Sequence, residues 1–209
     1  MGRGCQIGTR KNKIKGISFV MGDFSQNGII SNLHDFGTKS TADIEKELLK
    51  FSKERKMELI LPSLYSELKG DALPNIVKQI GETKYLNHVI IGLDKASKSE
   101  AIKAWKFFKS LNTPFTILWN DGPKLKKLHE ELKEKGLAPG ETGKGRNVWY
   151  CLGMCIARDE ARSVALHDCD IKTYDRRMLA KLFYPVVNPF FNFEFCKGYY
   201  PRIANGKMN

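Results

Sequence analysis

The sequence of 209 residues has no apolar run approaching the ~20 residues of a membrane-spanning helix, and no apolar stretch near its start of the secretory kind. A soluble, cytoplasmic protein is therefore expected. Its five cysteines are odd in number and contain no CxxC pair, which excludes a paired-cysteine metal centre and predicts reduced thiols. Cys151 and Cys155, four apart on an expected helix, read as two buried small residues rather than metal ligands. Two phosphate-binding signatures are missing as well. Gly140-Glu141-Thr142-Gly143-Lys144-Gly145 fails the P-loop spacing, because Ala138 stands where its first glycine belongs and Gly145 follows the lysine instead of Ser or Thr. No GxGxxG follows the first strand, so a P-loop NTPase and a nicotinamide dehydrogenase are both demoted. Acid is in deficit: 23 Asp and Glu against 35 Lys and Arg leave a formal charge of +12, which favours anionic partners without choosing among nucleic acid, acidic lipid and phosphorylated small molecules.

What is present suits a globular chain, at 42% hydrophobic and 28% charged residues. A basic start at residues 1–15 gives way to a short apolar run, Ile17–Val20, and a turn-rich stretch, Gly22–Gly28. Helical spacing of Ile44, Leu48 and Phe51 predicts a helix from Thr41 to Arg55, and Met57–Leu61 reads as a strand ended by Pro62. A helix over Leu73–Ile80 and a strand over His88–Leu93 follow. Ser97-Lys98-Ser99-Glu100 is a capping box before another helix. Phe115–Trp119 is the third strand, and a charged helix runs to Lys135. A Gly-rich loop over Leu137–Gly145 then precedes a helix over Asn147–Ala157 and a strand at Val164. The remaining expectations are a helix over Arg176–Phe183 and a strand over Phe190–Cys196, where aromatic and polar residues alternate. Alternating strands and helices argue an α/β sheet, mixed and mostly parallel, with helices on both faces.

Two features carry chemistry. Ser163–Leu166 is an apolar run that stops at His167-Asp168-Cys169-Asp170, so two carboxylates spaced i, i+2 fall at a strand tip, where they could hold a hard divalent cation. A helix cap is the plainer reading of a lone Asp-x-Asp. Lys144 at a helix N-terminus would welcome an anion, although a solvated basic turn is an equal reading. A second strand also ends in acid, at Asp94, and the Met57–Leu61 strand ends in the polar loop after Pro62, so the three tips should lie along one edge. Lys197-Gly198-Tyr199-Tyr200-Pro201-Arg202 is a basic, aromatic segment suited to a sugar-phosphate pocket or to single-stranded nucleic acid.

Taken in order, Leu61-Pro62-Ser63-Leu64-Tyr65-Ser66-Glu67, Asp94, Gly143-Lys144-Gly145, Asp168-Cys169-Asp170 and Lys197-Gly198-Tyr199-Tyr200 resemble a glycosyltransferase of the GT-A class over nearly the whole chain. More narrowly, they resemble the glucosyl-3-phosphoglycerate synthase family and its mannosyl relatives. The resemblance implies a Rossmann-like GT-A fold and a retaining transfer of hexose from a nucleotide sugar, UDP- or GDP-linked, to 3-phosphoglycerate. Pro62, Ser63, Leu64, Tyr65 and Glu67 would line the base and ribose, with Asp94 nearby. Gly143, Lys144, Asp168 and Cys169 would meet the donor, and Asp170, with Asp168, would hold Mg²⁺ or Mn²⁺. Lys197, Tyr199, Tyr200 and Arg202 would face the acceptor. A homodimer is implied too. The family's chains are longer, with a further acceptor-binding part and a metal-binding histidine for which none of the four histidines here is an obvious substitute, so residues 1–209 are expected to form one nucleotide-sugar-binding domain of a partial enzyme. His167 would alternate away from the carboxylates. The rival classes are a nucleic-acid-binding α/β protein, motivated by charge, and a nucleotidyltransferase, which lacks its Gly-rich loop after the first strand.

Overall fold

The computed structural model describes residues 39–191, 193–198, 203–204 and 207–208. The expectations for residues 1–15, Ile17–Val20, Gly22–Gly28, Tyr199, Tyr200 and Arg202 lie outside them. Among the described residues the main sheet has strands β1 (Met57–Leu64), β2 (His88–Asp94), β3 (Phe115–Trp119) and β4 (Ser163–Leu166), all parallel, in the order β3-β2-β1-β4. A two-residue antiparallel pairing joins β5 (Ile203–Ala204) to β6 (Lys207–Met208). No helix among them is long and apolar enough to cross a membrane. The expected α/β architecture, a parallel sheet covered by helices on both faces, is what the chain adopts.

Parallel strands need crossover helices, which cover the sheet on both sides and make its central strands apolar throughout. Met57 to Ser63 and all of β2 are buried accordingly. One face, carrying Leu59, Leu61, Val89, Ile91 and Leu93, packs against α1 (Thr41–Phe51), α2 (Ala72–Gly81), α3 (Lys98–Phe108) and α6 (Arg176–Val187). The opposite face, carrying Ile60 and Ile90, packs against Cys151 and Cys155 of α5 (Lys144–Arg158). The highly charged α4 (Pro123–Glu134) buries no residue fully but meets α5 where His129 hydrogen-bonds Tyr150 at 2.6 Å. Caps start three of the helices, one of them the box expected at Ser97–Glu100. The Ser40 hydroxyl accepts from Asp43 N–H, Ser97 and Glu100 close a reciprocal box, and Pro123 opens α4.

Five boundaries differ from expectation. Helix α1 ends at Phe51 rather than Arg55, because the residues beyond it leave the helix in turns in which Glu54 N–H and Arg55 N–H both donate to the Phe51 carbonyl. Pro62 does not end β1. The Ile60 carbonyl accepts from His167 N–H on the β4 side, so the ring nitrogen of Pro62, two residues on, faces the same side past the last β4 pair and costs no ladder bond. Helix α5 begins at Lys144 rather than Asn147, which makes the lysine its first residue instead of a loop residue. Helix α6 runs on to Val187 through Pro185, because Tyr184, Pro185 and Val187 all bury against the core. Phe190–Cys196 is not a strand. Asn188 turns the chain, its side chain accepting from Phe190 N–H and its carbonyl from Phe191 N–H, and two of the aromatics that alternate in sequence make edge-to-face contacts instead, Phe191 with Tyr184 and Phe193 with Phe191.

One glycine sets how closely α5 lies on the sheet. A Cβ at Gly92 would stand 1.7 Å from Asn147 Oδ1 and 2.7 Å from Cys151 Sγ, so only glycine admits the helix here. Gly92→Ala should lower stability by about 1–3 kcal/mol in urea unfolding, the usual cost of overpacking a filled core. Gly153→Ala, on the same helix with nothing within 4 Å, should instead raise it by about 0.5–1 kcal/mol through helix propensity.

Candidate functional site

The strand order makes β1 the point where the chain changes direction across the sheet: β2 and β3 add on one side of it and β4 on the other. In open α/β sheets the crevice at the carboxyl ends of two such strands receives ligands. Two loops meet there. The first leaves β1 as a 3-10 turn over Tyr65–Lys69, held by the Glu67 carboxylate, which accepts from Leu64 N–H at 2.9 Å. The second leaves β4 at His167, whose N–H bonds Ile60 O at 3.1 Å and so carries the ladder one residue further.

Beyond β4 burial keeps alternating, into a turn at Cys169 and Asp170. His167 and Cys169 turn inward and are buried, whereas Asp168 is half-buried and Asp170 exposed. The His167 ring hydrogen-bonds Tyr174 OH at 2.9 Å, and burial pushes its pKa down to about 4. Burial likewise raises the Cys169 thiol, with a smaller upward push from Glu67. Glu67 itself is raised above the usual carboxylate range chiefly by burial; hydrogen bonds from Leu64 N–H and Ser63 oppose this, and the charges of Asp170 and Asp168 add to it. Glu67 therefore lies within electrostatic reach of both strand-tip aspartates. The ammonium of Lys144, first residue of α5, closes the group with an ion pair to Asp168.

Ser63, Glu67, Lys144, Asp168, Cys169 and Asp170 thus come together, drawn from three separated stretches. Their acidic members are oxygen donors suited to a hard divalent cation, and the lysine already places positive charge on one of them. Among the described residues no cluster of three or more His, Cys, Asp or Glu is arranged to hold a metal alone. The donor set fits Mg²⁺ or Mn²⁺ of the kind held by one or two carboxylates and completed by water and phosphate oxygens.

Other expected residues fall elsewhere. Pro62 is buried within β1 opposite Gly92. Leu64 is exposed at the tip, and Tyr65 is buried beneath Lys69, whose Nζ stands 5.3 Å from the ring centroid. Gly143 is the N-cap of α5. Asp94, at the β2 tip, is buried and receives a hydrogen bond from Asn147 at 3.2 Å. Lys197 is exposed beyond α6, next to Gly198, which lies against Leu182 of that helix. Sequence reasoning passed over Asn147. Its only signal was a polar residue on the stripe shared with Cys151 and Cys155.

No established protein-family model matches the chain. Glucosyl-3-phosphoglycerate synthase of Persephonella marina is 44% identical to it over 185 residues, 88% of this chain and 46% of that protein. Its counterpart in Methanococcoides burtonii is 38% identical over 188 residues, 89% of this chain and 45% of that protein. The chain therefore spans about half the length of the curated relatives it matches. A crystal structure of glucosyl-3-phosphoglycerate synthase from Mycobacterium tuberculosis, in complex with Mn²⁺, UDP and glucosyl-3-phosphoglycerate, superimposes on 69% of this chain and 44% of that one at TM-score 0.46 and 16% identity, a likeness too distant to bear on the site.

The buried His167 ties the β4 tip to pH. Its pKa is depressed in the fold, so the neutral ring contributes stability above the unfolded value near 6.5 that is lost as pH falls toward about 4. Between pH 7 and pH 5 this amounts to about 2 kcal/mol, from the ordinary size of one pKa unit. Chemical denaturation at the two pH values should show that extra loss in the wild type and not in His167→Gln.

Proposed function

We propose, from the kinship of this chain with glucosyl-3-phosphoglycerate synthases, that it is the nucleotide-sugar-binding part of a retaining GT-A hexosyltransferase whose acceptor is 3-phosphoglycerate. The observation that carries the reading is the meeting of Glu67, Lys144, Asp168 and Asp170 at the carboxyl edge between β1 and β4. Three carboxylates and an ammonium gathered at one edge suit a diphosphate, which needs a cation between itself and protein carboxylates and a second cation on its far oxygens.

In this reading Asp168 and Asp170 hold the divalent ion, with Asp170, exposed and without Lys144's company, as its principal ligand. The ion supplies Lewis-acid stabilisation of the charge that gathers on the departing diphosphate. Lys144 exchanges its carboxylate for a phosphate oxygen and adds a fixed positive charge at the same place. The free N–H groups at the start of α5 point the same way and favour anionic oxygens. Glu67 and its turn stand on the β1 side, where the ribose and base would lie, and the glucosyl group faces the acceptor across the β4 tip. Lys197 is the described residue of the basic segment offered to the acceptor phosphate.

Calorimetric titration tests the reading. UDP-glucose or GDP-mannose should bind with Mn²⁺ or Mg²⁺ and not with EDTA, and the better donor identifies the sugar moved. Asp170→Ala should weaken that binding at least about tenfold, or about 1.4 kcal/mol. A folded protein that ignores both donors, and instead binds oligonucleotide with an affinity that falls steeply with salt and disregards Mg²⁺, would overturn the reading in favour of nucleic acid.

A further inference from the structure

Asn147 is among the most deeply buried polar residues described, 2% exposed, and three bonds hold its side chain. The amide Nδ2 donates to the carbonyl of Gly92 at 2.8 Å and to the carboxylate of Asp94 at 3.2 Å, while Oδ1 accepts from Cys151 Sγ at 3.5 Å. Two oxygens on one side and a thiol on the other define the amide's orientation. Its backbone N–H bonds Gly143 O at 3.1 Å, the bond that closes the first turn of α5. One residue thus both closes that turn and ties it to the last residues of β2.

This arrangement has a directional consequence. Positions three and four apart share a helix face, so Lys144, Asn147, Cys151 and Cys155 form one stripe. Cys155 and Cys151 lie over the apolar middle of the sheet, against Ile60 and Ile90, and Asn147 lies at its edge, on Gly92 and Asp94. Lys144, one turn further on, stands past the edge, where its ammonium meets Asp168 from β4. The interior could have used an apolar side chain at 147, yet the chain buries an amide between a carbonyl and a carboxylate and keeps Gly92 bare to make room for it.

We propose that Asn147 is a positioning residue that sets where Lys144 stands at the β1–β4 crevice. This rests on the reading of Lys144 as the cation that receives the donor's diphosphate. Without the amide, the first turn of α5 loses its only side-chain tie to β2 among the described hydrogen bonds, and the lysine no longer has a defined place over the carboxylates. Asp94 serves the site from below, as the second acceptor of that tie.

The test has two arms. In the first, Asn147→Ala, Lys144→Met and the double variant are titrated with UDP in the presence of Mn²⁺. Asn147→Ala should weaken UDP about tenfold in the wild-type background and leave it unchanged in the Lys144→Met background, since a residue that acts only by placing the lysine has nothing left to place. Losses that multiply in the double variant would overturn the proposal, because a general structural role has that signature. The second arm needs no ligand. Amide hydrogen exchange should quicken about tenfold in the first turn of α5, residues 146–150, and stay unchanged in its last turn in Asn147→Ala. Unchanged first-turn exchange would overturn the positioning role whatever the nucleotide does. If the wild type binds no UDP, the functional reading falls and the exchange arm still decides this one. Should Asn147→Ala fail to fold, Asn147→Ser, which keeps one donor able to reach a single acceptor, should show both effects at reduced size.

Discussion

The placement of β1 between β2 and β4 is the constraint from which the site follows. A central parallel strand is paired on both sides and covered on both faces, so its residues have no freedom of register: a slip of one would turn Leu59 and Leu61 onto α5 and Ile60 onto the other helices. Its partners are thereby fixed too. Leu64 stands opposite Asp94 on one side, and Ile60 stands opposite Leu166 on the other, with His167 bonded just beyond. β4 therefore ends lower on the sheet than β1 does. Past His167 the loop that carries Asp168 and Asp170 takes over on that side, within electrostatic reach of Glu67.

Helix α5 answers the same constraint from above. Its stripe is apolar only in the middle. At one end Asn147 bonds Asp94 and Gly92, and at the other Arg158 reaches the buried Glu58 at 3.1 Å and pairs also with Glu160 at 3.1 Å. An apolar stripe would hold the helix to the sheet but let it slide along the strands. A polar residue at each end with its partner in a strand makes sliding cost an unpaired buried group, on the order of 1–3 kcal/mol for each. Position along the strand axis is what determines how far Lys144 projects past the edge.

Much of this was legible in the sequence because the deciding signals were local. Strand and helix periods, the capping box at Ser97, and acid at the ends of two strands pointed to the architecture and the shared edge. The inward placement of His167 was also legible, because the β4 ladder runs on to it and an extended chain has a period of two whatever it packs against. The failures were of another kind. The end of β1 depends on which side of Pro62 has a partner, and that is decided by where β4 stops, about a hundred residues later. The alternation of Phe191, Phe193 and Phe195 has a strand's period but no neighbouring strand among the described residues to pair with; Phe191 meets Tyr184 instead, and Phe193 meets Phe191. Asn147 was invisible for the same reason: its partners lie on β2, and a buried amide in a helix has no spacing rule.

The ligand-free arrangement of charge also follows from simple electrostatics. Asp168, Asp170 and Glu67 would repel one another at close range, and burial already makes ionised Glu67 unfavourable. The Lys144 ammonium on Asp168 relieves part of that repulsion. Both partners are about half exposed, so the pair is worth only ~0.2–1 kcal/mol, as is usual for ion pairs in water. A deeply buried pair in the same place would be a poor substitute, since separating it would cost several times more and would oppose any ligand that needed either charge. A weak pair at a crowded acidic edge is stable enough to hold the lysine near the crevice and weak enough to be given up to a stronger partner of either charge.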